Sequence, residues 1–354
     1  MASSFKSFLN GDIATTRTLL HEQIPLTGSI LSGTYNDLNI KNYTHGLYQS
    51  VFDFPYLSAS SNHIFDITAG YHTSSALASS TNVQNSKKIN MYNSMAQTLM
   101  GHDITGSIQK FDADGNLIDT GTKINECLFL NFSRLLTKDE IKKGSFSLAI
   151  GANSTYSSPF TSILTVTDAG AENDFRVSSP TGEFGILSAS AGGAYAGTDG
   201  NCGLIFYQAG IAVLTGSIFM GTAGSATGKL SANADMNLAG DSMNTLLSTS
   251  AISGVADALR HRVQNLSFNN TTELNSTIYF CRANHNDFNY SSSPTYLSGS
   301  KIVVKNNTLD APITFISEIG LYSSDNELLG VAKLSEVIRK SPDQEVTIRV
   351  RIDQ

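Results

Sequence analysis

Asp310-Ala-Pro-Ile-Thr-Phe-Ile-Ser-Glu-Ile-Gly-Leu-Tyr-Ser-Ser-Asp-Asn-Glu-Leu-Leu-Gly-Val-Ala-Lys-Leu334 is the stretch whose reading decides the fold class of this chain. Apolar side chains alternate through Ile313, Phe315, Ile319 and Leu321. The polar quartet Ser323-Ser324-Asp325-Asn326 interrupts them, and a second apolar run extends from Leu328 to Leu334. Successive side chains of a strand point to opposite faces, so alternation on both sides of an Asp-Asn turn predicts a β-hairpin with one buried face. None of its side chains forms an obvious nucleophile, acid or metal-ligand arrangement. The stretch reads as architecture.

The residues around it repeat the pattern. In the last segment Val346, Ile348, Val350 and Ile352 face one way. Glu345, Thr347, Arg349, Arg351 and Asp353 face the other, which predicts a strand with one wet face. Strands are expected upstream at 301–305, 277–282, 211–219, 203–207, 184–187, Ile163–Thr167, 146–151, 127–132 and 64–71. A hairpin is expected over 107–118 about Asp114-Gly115.

Helices are fewer. Ile89, Tyr92, Met95, Ala96 and Leu99 recur at three- and four-residue spacing over 87–101, with Gly101 at the C-cap position. Met243, Leu246, Leu247, Val255, Leu259 and Val263 predict a second helix over 241–268. Residues 13–22 suggest a short helix ended by Pro25, and Thr137 with Glu140 suggests a capped turn. The expected class is mainly β with a few helices (α+β), built of antiparallel sheets in sandwich-like units and several domains. The expected boundaries are an N-terminal arm 1–35, an α+β domain 36–150, a Gly/Ser/Ala-rich β domain 151–240, a helical connector 241–268 and a C-terminal antiparallel β domain 269–354.

At 354 residues with 40% hydrophobic side chains, the chain can bury several cores. Charged residues make up only 15%, against about 25% in an average soluble domain, so the polar surface is built of Ser, Thr, Asn and Gly. Such a surface is commoner in extracellular β-proteins and virion components than in cytosolic enzymes. The net charge of −7 carries no basic stripe, which argues against nucleic-acid binding. Arg339, Lys340, Arg349 and Arg351 read as a solvated strand face. No run reaches the about 18 apolar residues of a membrane helix, and the first residues lack a leader-like core.

The three cysteines, Cys127, Cys202 and Cys281, have no CxxC or Cys/His spacing and sit among apolar neighbours. They read as buried structural thiols in a chain that folds in a reducing cytosol. Asp112-Ala-Asp114-Gly-Asn116 begins like a calcium loop, but Lys123 stands where the bidentate acid belongs. His63, His72, His102 and Asp66 would matter only if the fold brought them together. No phosphate-binding loop, dinucleotide fingerprint or nucleophile elbow occurs. We therefore expect no catalytic residue, no cofactor and no metal.

Three strings carry a resemblance. They are Leu38-Asn-Ile-Lys-Asn-Tyr-Thr-His-Gly with Asn62-His-Ile-Phe-Asp-Ile-Thr; Gly203-Leu-Ile-Phe-Tyr-Gln-Ala-Gly-Ile-Ala-Val-Leu-Thr; and Phe280-Cys-Arg-Ala-Asn-His-Asn-Asp-Phe-Asn-Tyr-Ser-Ser-Ser-Pro-Thr-Tyr, continuing through the hairpin to the end. Together they resemble virion structural proteins of large contractile-tailed bacteriophages, particularly those of marine cyanobacteria. The resemblance implies a non-enzymatic place in the virion after synthesis in the host cytoplasm. A tail baseplate component or tail-fibre adaptor is the first expectation, a neck or head-surface protein the alternative. A receptor-binding or polysaccharide-degrading tail protein is third, since it would be expected to show a fibrous or β-helical repeat and none is found. The implied partners are other virion proteins and further copies of the chain, with no nucleic acid and no membrane insertion. Two segments mixing aromatics with turn residues, 284–296 and 316–328, are the expected contacts. The side chains singled out are Phe288, Tyr290, Tyr296, Phe315 and Tyr322.

Overall fold

A computed structural model describes residues 5–29, 37–115, 123–136, 139–151, 163–191, 201–219, 236–237, 239–291, 295–299, 301–303, 305, 307 and 309–353. The fold is mainly β, with three α-helices among these residues. In chain order it begins β1 (Ile13–Ser29), β2 (Ile40–Asn42), β3 (Gln49–Phe52), β4 (His63–Tyr71), α1 (Asn85–Leu99) and β5 (Glu126–Asn131). There follow β6 (Glu140–Ile141), β7 (Ser147–Gly151), β8 (Ile163–Thr167), β9 (Phe175–Ser179), β10 (Gly182–Ala191), β11 (Asn201–Phe206) and β12 (Ile211–Thr215). The chain closes with α2 (Met243–Thr249), α3 (Ile252–Arg262), β13 (Val263–Ala283), β14 (Leu297–Ser298), β15 (Lys301–Ile302), β16 (Thr314–Tyr322), β17 (Leu328–Lys340) and β18 (Val346–Asp353). No helix among the described residues is long and apolar enough to cross a membrane.

The chain divides into two compact units, a central one of Leu20–Thr272 and a terminal one of Met1–Leu19 with Glu273–Gln354. The sequence boundaries at 35/36, 150/151, 240/241 and 268/269 thus fall inside the central unit. Strand pairing is the reason: β12 pairs with β5, and β7 pairs with both β8 and β13. Residue type does not reveal these pairings between segments distant in sequence.

In the central unit the sheet runs β13-β7-β8-β10-β11-β12-β5-β4-β3-β2, with each of these neighbouring pairs antiparallel. Its middle strands are apolar on both faces. Along β5, Leu128 and Leu130 enter one core with Met243, Leu247, Val255 and Leu259 of α2 and α3. Cys127 and Phe129 enter a second core with Tyr92, Ala96 and Leu99 of α1. Helices cover both faces, which explains why β4 reads as a continuous apolar run. Gly70 of β4 is the point of closest approach: a Cβ there would lie 2.5 Å from the Lys88 carbonyl and 2.8 Å from the Tyr92 nitrogen.

The helix predicted over 87–101 spans Asn85–Leu99, and Gly101, at φ +79°, supplies the left-handed residue after it. Gln84, just before α1, spends its side chain elsewhere. Its Oε1 accepts the Ile252 N–H (2.9 Å) and so caps α3, whose own N-cap, Ala251, has no side-chain acceptor.

Three local expectations are corrected. Residues 13–22 are strand, within β1, which continues through Pro25 to Ser29 at the end of the sheet order. Residues 241–268 are two helices and a strand: Ser250 and Ala251 are extended (ψ 156° and 163°), and from Val263 the chain pairs with β7. Glu140 belongs to the short β6, pairing with β13, rather than to a helical turn; Thr137 lies outside the described residues. The hairpin expected over 107–118 keeps the Asp112–Gly115 turn, and its return limb lies outside the described residues; Ile108 bridges His102, Asp112 bridges Lys123, and the Phe111 carbonyl accepts the Ile124 N–H (2.9 Å). The loops expected at 189–201 and 221–237 also fall largely outside the described residues.

Lys88, on the inner side of α1, is fully buried and donates to the Leu247 and Ser250 carbonyls at the end of α2 (2.6 and 2.7 Å). Burial disfavours its charge and lowers its pKa to about 8. A native pKa below the unfolded value of 10.5 means that the unfolded chain binds more protons between pH 8 and 10.5, so this group makes stability rise with pH across that window. We expect the unfolding free energy of the wild type to gain on that of Lys88→Met from pH 8 to 10.5, with a constant difference below pH 8. Urea unfolding across that range checks it, and a flat or falling difference would contradict it.

Candidate assembly surface

The opening hairpin forms as expected, with β16 and β17 antiparallel and Asn326 (φ 63°) in the turn, but its faces are not those predicted. The register shifts between Ile316 and Glu318, so Ile316 faces Ile338 while Glu318 faces Lys333. Such a bulge reverses the parity of side chains along a strand. The pairs Thr314–Lys340, Ile316–Ile338, Ile319–Ala332 and Leu321–Gly330 contain the less exposed residues and form the inner face. Gly330 lies beside β18, where an added Cβ would stand 3.8 Å from Ile352 Cδ1. Phe315, predicted to share the buried face, lies on the outer one instead.

That outer face carries Phe315 opposite Arg339, Glu318 opposite Lys333, Gly320 opposite Val331 and Tyr322 opposite Leu328. Phe315, Tyr322, Val331 and Leu328 are 46%, 44%, 51% and 52% exposed. Phe5 meets the Tyr322 ring edge-on at 4.8 Å and extends the patch. Single exposed apolar residues are ordinary, but a row along one sheet face makes this a candidate contact surface.

The second expected segment lies in the same terminal unit. Phe288 (φ 55°) is a bulky residue held in the left-handed region and is 43% exposed. Its carbonyl accepts Thr314 Oγ1, tying the loop to the base of β16. Tyr290 is 61% exposed and stands edge-on to Tyr296 at 5.8 Å. Tyr296 is half-buried, donates its hydroxyl to the Ile313 carbonyl, and has its phenol pKa raised by burial. Lys340, read as solvated, is fully buried. Its ammonium donates to the His285 carbonyl (3.2 Å), Asn289 Oδ1 (2.7 Å) and the Ser341 carbonyl (3.0 Å), anchoring loop to hairpin. An alternating charge pattern gave no sign of this.

The first part of the arm, up to Leu19, docks within the terminal unit. Asp12 pairs with Arg282 (2.6 Å), its carbonyl accepts the Phe280 N–H (2.8 Å), and Phe8 packs on Tyr279 at 5.5 Å. β18 pairs with Ser276–Ala283 of β13 and alternates half-buried and exposed residues as predicted.

In the central unit the candidate chemical groups take local partners. His63 Nε2 meets Asp66 Oδ1 at 2.8 Å. Burial raises the Asp66 pKa, but hydrogen bonds from His63 and Ser50 outweigh it and leave the carboxyl below its ordinary value. His72 Nδ1 accepts the Ser74 N–H (3.0 Å) and meets its hydroxyl (2.7 Å). His72 lines an open polar cleft of about 460 Å³ with Asn93, Asp103, Gln109, Lys110 and Lys123. Burial and Lys110 lower its pKa.

Lys123, where a calcium loop would need its acid, extends its ammonium to the buried Asp112 carboxylate. Among the described residues no group of three or more His, Cys, Asp or Glu is arranged to hold a metal. Cys127 and Cys202 are buried and burial raises their thiol pKa values, that of Cys202 to about 12. Cys281 is only half-buried, a departure from the reading of all three as interior thiols.

No protein-family model, curated protein or solved structure matches the chain.

Proposed function

We propose that the chain is a structural subunit of a contractile-tailed bacteriophage virion, a baseplate component or tail-fibre adaptor that assembles by protein–protein contact. The observation that carries this reading is the outer face of the β16–β17 hairpin, where aromatic and aliphatic side chains about half exposed form one row. Aromatic-rich patches rimmed by polar residues suit protein interfaces. The loop bearing Phe288 and Tyr290 belongs to the same unit and is tied to the hairpin by the Thr314 hydroxyl and the Lys340 ammonium. The resemblance of the three sequence strings supplies the virion; the surface supplies the means of assembly.

Copy number tests this directly. Quantitative mass spectrometry of purified particles, scaled to the major capsid protein, is expected to give about six copies or a small multiple, as the symmetry of a tail assembly requires. Hundreds of copies would move the protein to the head surface. Its absence from the particle would overturn the structural reading.

A further inference from the structure

The cross-strand pairs of the outer hairpin face are complementary to themselves. We infer that this face docks on the same face of a second copy, about a two-fold axis parallel to the strands and midway between them. The inference rests on the reading of this face as an assembly surface and names its partner.

Such an axis exchanges β16 with β17, so each residue of one copy lies over its own cross-strand neighbour in the other. Glu318 then meets the second copy's Lys333, and Lys333 its Glu318, two opposite-charge contacts at the centre of the patch. Both side chains are exposed, and neither forms an ion pair with another described residue, so both charges are available. On one side of this pair Tyr322 meets Leu328, two apolar side chains that in each copy also lie over Gly320. On the other side Phe315 meets Arg339, placing a guanidinium over a ring face. Cation faces anion or ring in two of the four pairs, and apolar faces apolar in a third. A two-fold contact demands that one patch be its own complement, and unrelated partners impose no such condition. Stacked sheets lie about 10 Å apart with strands within about 30° of alignment, which this arrangement meets. The patch is small, so the expected dimer is weak, with dissociation on the order of micromolar, and is strengthened when several copies are held in one assembly.

The test is a charge-swap pair on the full chain, read by sedimentation velocity over a concentration series. Wild type is expected to dimerise with concentration. Lys333→Glu sets Glu318 against a new carboxylate, and Glu318→Lys sets Lys333 against a new ammonium, so each variant alone is expected to associate at least about tenfold more weakly. An equimolar mixture restores both contacts and is expected to recover dimer at the wild-type concentration. Both positions are exposed, and unchanged thermal unfolding of each variant excludes loss of fold. A wild type that stays monomeric throughout, or one that dimerises while the mixture does not recover, overturns the inference. Particle copy number is independent of this readout: a self-docking chain absent from virions would sink the virion role alone, and a virion subunit without charge-swap rescue would sink the self-docking alone.

Discussion

Gly70→Ala is expected to destabilise the central unit by about 3 kcal/mol or more, among the larger effects of adding one methyl group. Gly70 lies in β4, where the sheet meets α1 so closely that a Cβ would stand 2.5 Å from the Lys88 carbonyl and 2.8 Å from the Tyr92 nitrogen. Both obstacles are backbone, so no rotamer change relieves them. Moving α1 away would uncover Tyr92, Ala96 and Leu99, all fully buried. The control is Gly170→Ala, whose new Cβ meets nothing within 4 Å and whose cost is expected within about 0.5 kcal/mol. Chemical denaturation of the two variants decides it. Equal stability would mean that α1 is not held against β4 as described.

Phe132→Ala is expected to cost about 3–5 kcal/mol, because the ring is fully buried and its neighbours cannot collapse into the space. Phe132 follows β5, stacks on Phe146 at 5.6 Å and tilts against Phe268 of β13 at 5.4 Å. Phe268 comes from the segment that the sequence assigns to the helical connector, whereas Phe132 and Phe146 belong to the expected α+β domain. Loss of Phe132 should therefore raise amide exchange in Ser147–Gly151 and in the β7-paired part of β13 together with Glu126–Asn131. Faster exchange confined to β5 would contradict a shared core and favour separate domains.

Much of the local structure follows from the chain's own pattern. The three-and-four spacing from Ile89 to Leu99 and the glycine at 101 give α1, because a helix with one apolar side forms wherever that side has something to cover. Strict alternation from Val346 to Ile352 gives β18, and Asp325-Asn326 gives a turn because Asn accepts the left-handed region at little cost. The mainly-β class follows from these signals alone. Of the residues proposed as contacts, Phe288, Tyr290 and Tyr296 were legible as aromatics amid turn residues, without any indication that Lys340 would hold their loop.

Other features depend on partners distant in sequence. Whether Ile13–Ser29 is helix or strand depended on β13 lying beside it, since its own composition suits either. The units were set by ladders such as β12–β5 and β7–β13, which join residues about eighty or more positions apart and leave no local mark. Most telling is the hairpin. Its sequence alone determined two strands and a turn, with alternation that puts Phe315 on the side of Ile319. The bulge after Ile316 reversed that parity and turned Phe315 outward with Tyr322, Val331 and Leu328. A strand's periodicity fixes which side chains share a face only while its register holds, and the register is decided by the strand across from it.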